Sequence, residues 1–191
     1  MLAPYLVDEH TPAALRELLR DAPVPSVQIP AALDDAAVAA LRARALAAEL
    51  VAYDLADRGR YHHDETLRDE PLFAQLAWFA AGVTATPLVL ARACWLVQRR
   101  GDYSLVKDDW ARRPRGRLIE VVVDLSAGTS GEAEAVYVDG AQALAVPQLG
   151  GLLAVVDRSP SCTRFLRPPT IRSLGGFEVV RLFLQFEPAA R

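Results

Sequence analysis

Residues 136–146 read Val136-Tyr-Val-Asp-Gly-Ala-Gln-Ala-Leu-Ala-Val146, and this stretch decides the fold class. One strand-like run, Val136–Val138, and a second, Gln142–Val146, flank the pair Asp139-Gly140. An Asp-Gly pair between two such runs is a strong local signal for a β-hairpin, because both residues tolerate the backbone angles of a tight turn. We therefore predict two antiparallel strands here.

Strand-like runs continue on both sides of this hairpin through the second half of the chain. After Pro87 the spacing of apolar residues changes from that of a helix toward that of a sheet. The predicted strands are Leu88–Gln98, Tyr103–Lys107, Leu118–Leu125, Val136–Val138, Gln142–Val146, Leu152–Val156, Thr163–Leu166 and Phe177–Phe186. A run of short strands joined by hairpin turns indicates an antiparallel sandwich or barrel.

The first half of the chain has mainly helical spacing. Helices are predicted from Thr11-Pro12, from Asp34 or Asp35 to about Leu50 and from Thr66 to about Ala81, with short strands at Val27–Ile29 and Val51–Asp57. Helices followed by strands indicate an α+β fold. We expect one domain over residues 1–191, in which 1–87 is a mostly helical lead-in with supporting helices and 88–187 carries the strands.

The composition argues against several classes of partner. A hydrophobic content of 52% supports a buried core, and a net charge of -3 gives no electrostatic reason to expect nucleic acid. No stretch approaches the ~20 apolar residues of a membrane span. The N-terminus also lacks the basic region and apolar core of a signal peptide, so we expect a cytoplasmic protein without a membrane partner. Cys94 and Cys162 form neither a disulfide framework nor a metal-binding spacing.

Four segments resemble a known superfamily in their order and spacing. They are Arg100–Asp109, Arg117–Leu125 with Ser130–Ala133, Asp139–Val155, and Thr163–Pro168. Together, over roughly residues 24 to 187, they resemble the 2-oxoglutarate/iron(II) oxygenases and especially their prolyl-hydroxylase-like branch. The resemblance implies a double-stranded β-helix, also called a jelly roll or cupin-like fold, supported by the N-terminal helices.

The same resemblance places the iron ligands of that superfamily at three positions. The first histidine falls on Lys107, the carboxylate on Asp109 and the distal histidine on Arg164. Such enzymes need two imidazoles and one carboxylate, whereas a charged lysine has no lone pair and arginine stays protonated. We therefore expect no iron(II) and no 2-oxoglutarate. We expect instead an ion-paired cluster, with Lys107 and Asp109 on one face of a strand.

Several further residues are candidates for ligand contacts. The superfamily carries an arginine or lysine on its last strand for the 2-oxoglutarate carboxylate, and Arg181 is the candidate, although an outward-facing arginine is an equal alternative. Arg181, Lys107 and Arg164 could together bind a carboxylate. His62 and His63 precede the third helix, but neighbours on a strand point to opposite faces, so both imidazoles should not reach one ion. Candidates for the pocket rim are Tyr61, His62, His63, Tyr103 and Gln185.

Three functions remain open from the sequence. The favoured one is a non-catalytic pseudo-enzyme that acts as a binding or scaffold protein for an unknown protein partner. The second is an active iron(II)/2-oxoglutarate-dependent hydroxylase whose ligands lie elsewhere in the chain. The third is a metal-independent enzyme or a binder of a small carboxylate ligand. The fold alone does not choose among them.

Overall fold

The computed structural model describes residues 2–8, 10–112, 116–127, 129–169 and 178–189. A short 3-10 turn covers Pro4–Leu6, and the helices are α1 (His10–Asp21), α2 (Asp35–Ala47), α3 (Glu70–Thr84) and α4 (Val106–Arg112). The strands are β1 (Ser26–Ile29), β2 (Val51–Leu55), β3 (Gly59–Asp64), β4 (Leu88–Gln98), β5 (Tyr103–Ser104), β6 (Leu118–Asp124), β7 (Thr129–Asp139), β8 (Gln142–Leu149), β9 (Leu153–Arg158), β10 (Thr163–Leu166) and β11 (Val179–Pro188).

The strands form one antiparallel sheet that curls into a nearly closed barrel. Their order is β1-β9-β6-β11-β4-β3-β5-β10-β7-β8, and β2 pairs with β3. One wall contains β9, β6, β11 and β4, and the other contains β5, β10, β7 and β8. Gln28 of β1 donates a side-chain hydrogen bond to the carbonyl of Ala145 in β8, at 3.0 Å, and so links the two ends of the sheet. The predicted α+β double-stranded β-helix is confirmed.

Strand alternation divides the apolar residues into two cores. On β4, Ala93, Trp95 and Val97 face the helices, whereas Cys94 and Leu96 face the barrel interior. Helix α3 supplies the largest share of the helical core, through Leu72, Phe73, Leu76, Phe79, Ala80 and Val83. Helix α2 is mostly exposed and buries only Ala45 fully. The barrel interior is therefore separate from the helix-covered core and is free to carry polar side chains.

Three local predictions differ from the structure. The hairpin turn lies one residue later, at Gly140-Ala141, because Asp139 pairs with Gln142 and the positive φ of 60° falls on Gly140. Helix α3 begins at Glu70 and not at Thr66, because Asp64 accepts hydrogen bonds from the backbone N–H and the hydroxyl of Thr66 and holds that residue in a turn.

The third difference concerns the segment after β5. The predicted strand Tyr103–Lys107 ends at Ser104, and α4 begins at Val106. Acidic residues at the start of a helix interact favourably with its dipole, and Asp108 and Asp109 occupy the first turn of α4. Phe177, the predicted start of the last strand, lies outside the described residues. Among the described helices, none is long and apolar enough to cross a membrane.

We expect Leu76→Ala in α3 to lower the free energy of unfolding by about 2–5 kcal/mol, because it leaves a cavity in a fully buried core. The matched control is Leu46→Ala in α2, where the leucine is 36% exposed and the expected loss is below about 1 kcal/mol. Urea denaturation of both variants measures the difference. Equal losses would contradict the assignment of α3 as the main supporting helix.

Candidate functional site

A buried network of charges occupies the interior of the barrel. Glu120 on β6 accepts hydrogen bonds from Arg158 on β9 at 2.8 Å and from Arg164 on β10 at 2.7 Å. Its carboxylate also accepts from the Tyr137 hydroxyl at 2.6 Å and the Gln185 amide at 3.0 Å. Four donors from four strands therefore converge on one carboxylate with no solvent exposure.

Asp109 is the second acid of this network. One of its oxygens accepts from Arg158 at 2.5 Å and from the backbone N–H of Arg164 at 3.1 Å. The Arg164 guanidinium also lies 4.2 Å from the centre of the Phe183 ring, in a cation–π arrangement. Two carboxylates and two guanidiniums balance in charge, which offsets the cost of burying them.

The network perturbs the titration of its members. Burial raises the pKa of Glu120, but the charges of Arg164 and Arg158 and the hydrogen bonds from Tyr137 and Gln185 outweigh burial and lower it to about 2. Burial and the charge of Glu120 raise the pKa of Tyr137, so its hydroxyl stays a donor. Burial likewise raises the pKa of Cys162, despite the nearby Arg158, so this fully buried cysteine is held as a thiol.

The predicted cluster of Lys107, Asp109 and Arg164 forms only in part. Asp109 and Arg164 meet, with Nε and Oδ1 separated by 4.0 Å, but Lys107 is exposed. The reason is that Lys107 and Asp109 lie on helix α4, where residues two apart point to different sides. Arg158 supplies the second cation. It was missed because its place at the end of β9 follows from strand register and not from any local motif.

Glu120 was missed as well, although the sequence contains a signal for it. The run Leu118-Ile-Glu-Val-Val-Val-Asp124 places two acids on alternate positions of a β-branched strand. Acids at such positions are either exposed or paired inside the barrel, and Glu120 and Asp124 are both fully buried. At the positions where the resemblance puts the two histidines, the chain has Lys107, which is exposed, and the guanidinium of Arg164, and neither side chain is an imidazole ligand of a 2-His-1-carboxylate site.

Arg181 lies inside the barrel, at the opposite end of the interior. Its guanidinium donates to Asp124 at 3.0 Å, to the Gln98 side chain at 3.2 Å and to the carbonyl of Ala133 at 2.5 Å. Each of its three nitrogens already has a protein acceptor. Arg181 therefore forms a buried ion pair with Asp124. Its nitrogens are already hydrogen-bonded within the protein, which does not favour the predicted role of binding a carboxylate ligand.

A narrow pocket opens beside the network, with an empty volume of about 390 Å³ including the open solvent at its mouth. It is lined by Tyr61, Arg92, Cys94, Leu96, Ser104, Asp108, Arg164, Leu166, Phe183 and Gln185. Of the predicted rim residues, Tyr61 and Gln185 line it, whereas His62, His63 and Tyr103 do not. The Tyr61 hydroxyl donates to Oδ2 of Asp108 at 2.8 Å.

Two acceptor atoms of the pocket lining are buried without a hydrogen bond from any described residue. They are Oδ1 of Asp108 and Oε1 of Gln185. Asp108 is 4% exposed and Gln185 is 3% exposed. Nε of Arg164, which also lines the pocket, is a buried donor without a hydrogen bond to a described residue. Unsatisfied buried polar atoms are costly, so the lining offers a ligand two acceptors and one donor.

A second group of polar side chains lies next to this pocket. His63, Glu65 and Cys94 place one nitrogen, one oxygen and one sulfur within 4.8 Å of one another. His63 Nδ1 is 3.4 Å from Glu65 Oε1. His62 lies elsewhere, with Nδ1 3.6 Å from Asp102 Oδ2. The two adjacent histidines therefore have different partners, as strand alternation requires.

We expect Glu120→Ala to lower the free energy of unfolding by about 3–5 kcal/mol, because two guanidiniums would remain buried without their shared acid. Asp157→Ala is the matched control. It removes the exposed ion pair with Arg117, whose side chain is 46% exposed, and should cost below about 1 kcal/mol. Urea denaturation at neutral pH compares them. A loss of under about 1 kcal/mol for Glu120→Ala would contradict the network.

The low pKa of Glu120 predicts a pH dependence. Its folded pKa of about 2 lies below its ordinary value of 4.5. Its stabilising contribution is thus present above about pH 4.5 and is lost as the pH falls toward 2. We expect the stability difference between the unaltered protein and Glu120→Gln to shrink by up to about 3 kcal/mol over this window. Urea denaturation at several pH values tests this, and a pH-independent difference would contradict it.

No protein-family profile and no curated protein sequence matches this chain. Solved structures do match it. A prolyl hydroxylase from Trichoplax adhaerens, in complex with a hypoxia-inducible-factor peptide, has a TM-score of 0.73 at 10% identity and covers 94% of this chain and 90% of its own. A 2-oxoglutarate/iron(II) oxygenase-family oxidoreductase from Burkholderia pseudomallei has a TM-score of 0.70 at 16% identity and covers 94% of each chain.

A Pseudomonas putida prolyl-4-hydroxylase is similar as well, with a TM-score of 0.68 at 16% identity over 94% of this chain and 100% of its own. These proteins are named as iron(II)- and 2-oxoglutarate-dependent enzymes or prolyl hydroxylases, and the described residues contain a possible metal-binding group, His63, Glu65 and Cys94. The expectation of no cofactor was therefore wrong: it asked whether His62 and His63 could share one ion, and did not consider His63 together with Glu65 and Cys94. The chain has the double-stranded β-helix fold of the 2-oxoglutarate/iron(II) oxygenases.

Proposed function

We propose that this chain is a binding protein on the oxygenase fold, whose barrel pocket takes a small molecule that carries a protonated amine. The observation that carries this proposal is Asp108, a buried carboxylate that lines the pocket with one oxygen unsatisfied by the described residues. In this proposal the ion network replaces the histidine cage of the oxygenases. The chain thus uses the fold for recognition and not for oxidation at that position.

The charge balance of the pocket supports a cationic ligand. Arg164 is neutralised by Glu120, and Arg92 is neutralised by Glu65, to which it donates through Nε at 3.1 Å. The carboxylate of Asp108 has only the neutral Tyr61 hydroxyl as its hydrogen-bond partner among the described residues. The lining therefore carries one uncompensated negative charge, and a cation that donates to Asp108 would make a charge-assisted hydrogen bond.

The remaining lining supports the same class of ligand. Tyr61 contributes an aromatic ring, and Leu96, Leu166 and Phe183, whose ring already faces the Arg164 guanidinium, contribute apolar walls. Aromatic rings stabilise cations through their quadrupoles. Gln185 Oε1 is a second acceptor for an N–H or O–H group. The narrow space limits the ligand to a small amine. The carboxylate ligand and the protein partner expected from the sequence stay predictions.

An active iron(II)/2-oxoglutarate-dependent oxygenase is the second candidate function. It is favoured by one observation, the group His63, Glu65 and Cys94 beside the pocket mouth. A bound iron would supply oxygen activation, and the pocket residues would orient a substrate next to it. Iron analysis of protein purified without chelator, together with an assay for succinate formation from 2-oxoglutarate, tests this candidate. If the purified protein contains no iron and forms no succinate, this candidate is excluded.

We expect Asp108→Asn to weaken binding of a small amine about tenfold or more, because it removes the charge and keeps the shape and the Tyr61 hydrogen bond. The probes are methylammonium, ethanolamine and pyrrolidine, measured by calorimetry at neutral pH. The control Asp157→Asn has the same change of net charge on an exposed ion pair and should leave the affinity unchanged.

Succinate and 2-oxoglutarate are titrated in the same way, as carboxylate probes of opposite charge. If a carboxylate binds and none of the amines does, the proposed charge preference is wrong. If amines bind equally to the unaltered protein and to Asp108→Asn, Asp108 is not the recognising group. A thermal shift with each probe provides an independent readout, since a ligand that binds only the folded state raises its stability.

A further inference from the structure

We propose that His63, Glu65 and Cys94 form a binding site for a zinc-type dication at the pocket mouth, and that Arg92 competes with the metal for Glu65. This site differs in place and in donor atoms from the former iron positions on α4 and β10. It does not depend on the amine ligand proposed for the pocket.

Strand register brings the three side chains together. His63 pairs with Leu96 and Asp64 pairs with Trp95 in the antiparallel ladder of β3 and β4. His63 shares a face with its partner Leu96, and Cys94, two residues from Leu96 on β4, lies on that same face. Glu65 follows directly after β3, and one of its carboxylate oxygens lies within 4.8 Å of the His63 nitrogen and the Cys94 sulfur. Cys94 and Arg92 both line the pocket, so this side is the barrel interior.

The donor atoms select the class of metal. Imidazole nitrogen, carboxylate oxygen and thiolate sulfur are the three ligand types that zinc accepts, whereas magnesium and calcium prefer oxygen alone. A thiolate together with an imidazole also binds zinc more tightly than iron(II), following the general order of divalent affinities. Three protein ligands would leave a fourth position for water or for a molecule in the pocket.

The surroundings fit a site that an ion can reach. The side chains of Glu65 and His63 are 36% and 13% exposed. Cys94, with backbone and side chain counted together, is 8% exposed. The ion would enter past Glu65 and meet the more buried thiol last. The His63 ring packs edge-on against the rings of Tyr53 and Tyr61, with centroids 6.2 Å and 5.8 Å apart, which restrains its orientation.

Arg92 is the competitor because it contacts the same oxygen. Its Nη2 forms a short ion pair with Glu65 Oε1, the atom that is 3.4 Å from His63 Nδ1. A dication at that oxygen must displace the guanidinium, and cysteine must release its proton as it binds. Removal of the Arg92 charge should therefore tighten metal binding, whereas removal of any ligand should weaken it.

Zinc titration by calorimetry tests the site with the full-length protein after treatment with chelator. We expect one zinc per chain, at least tenfold weaker binding in His63→Ala and in Cys94→Ser, and about tenfold tighter binding in Arg92→Ala. His62→Ala is the matched control, because it removes the neighbouring imidazole on the other face and should leave the affinity unchanged. Equal effects of His62→Ala and His63→Ala would overturn the assignment.

Cobalt(II) gives a readout that does not depend on a variant folding. We expect the unaltered protein to show the strong near-ultraviolet thiolate-to-cobalt absorption, which zinc then abolishes by displacement. Absence of this band at saturating cobalt, or no zinc binding to either the unaltered protein or Arg92→Ala, overturns the proposal. Tighter binding of iron(II) than of zinc also overturns it and supports the oxygenase candidate instead.

Discussion

The burial of Glu120 is the constraint on which the interior of this protein depends. A carboxylate without solvent contact is stable only if donors replace the water it has lost. Those donors come from β7, β9, β10 and β11, so both walls of the barrel must be in place before the charge is satisfied. The acid thus ties the two walls together and fixes the depth at which each strand lies.

The balance of charge around Glu120 sets the charge of the pocket lining. Arg158 forms ion pairs with Glu120 and Asp109, and Arg164 forms an ion pair with Glu120. Arg181 forms an ion pair with Asp124 at the other end of the barrel. The negative charge of Asp108, which lines the pocket, takes no part in these ion pairs. An interior that contains three arginines therefore leaves an acid, and not a base, without an ion-pair partner among the described residues of the pocket lining.

The strand pattern of the second half was predictable because it is local. Alternation of side chains and turn residues identified β4, β6, β8 and β9 to within a few residues, and the hairpin was displaced by only one. Helix α4 was not predictable from alternation, since Tyr103-Ser-Leu-Val-Lys107 contains apolar residues at either spacing. Because this segment is a helix, the side chain of Lys107 is exposed, whereas a strand would have placed it on the same face as Asp109.

The sequence by itself determined the fold class, the place of the hairpin and the identity of Asp109 and Arg164 as interior residues, because these follow from local periodicity and from resemblance. Tertiary structure alone decided that Arg158 and Glu120 complete the network and that Glu65 lies beside Cys94. The physical reason is that strand register joins residues that are 20 to 40 positions apart in the chain, and no local pattern fixes which of them will face each other.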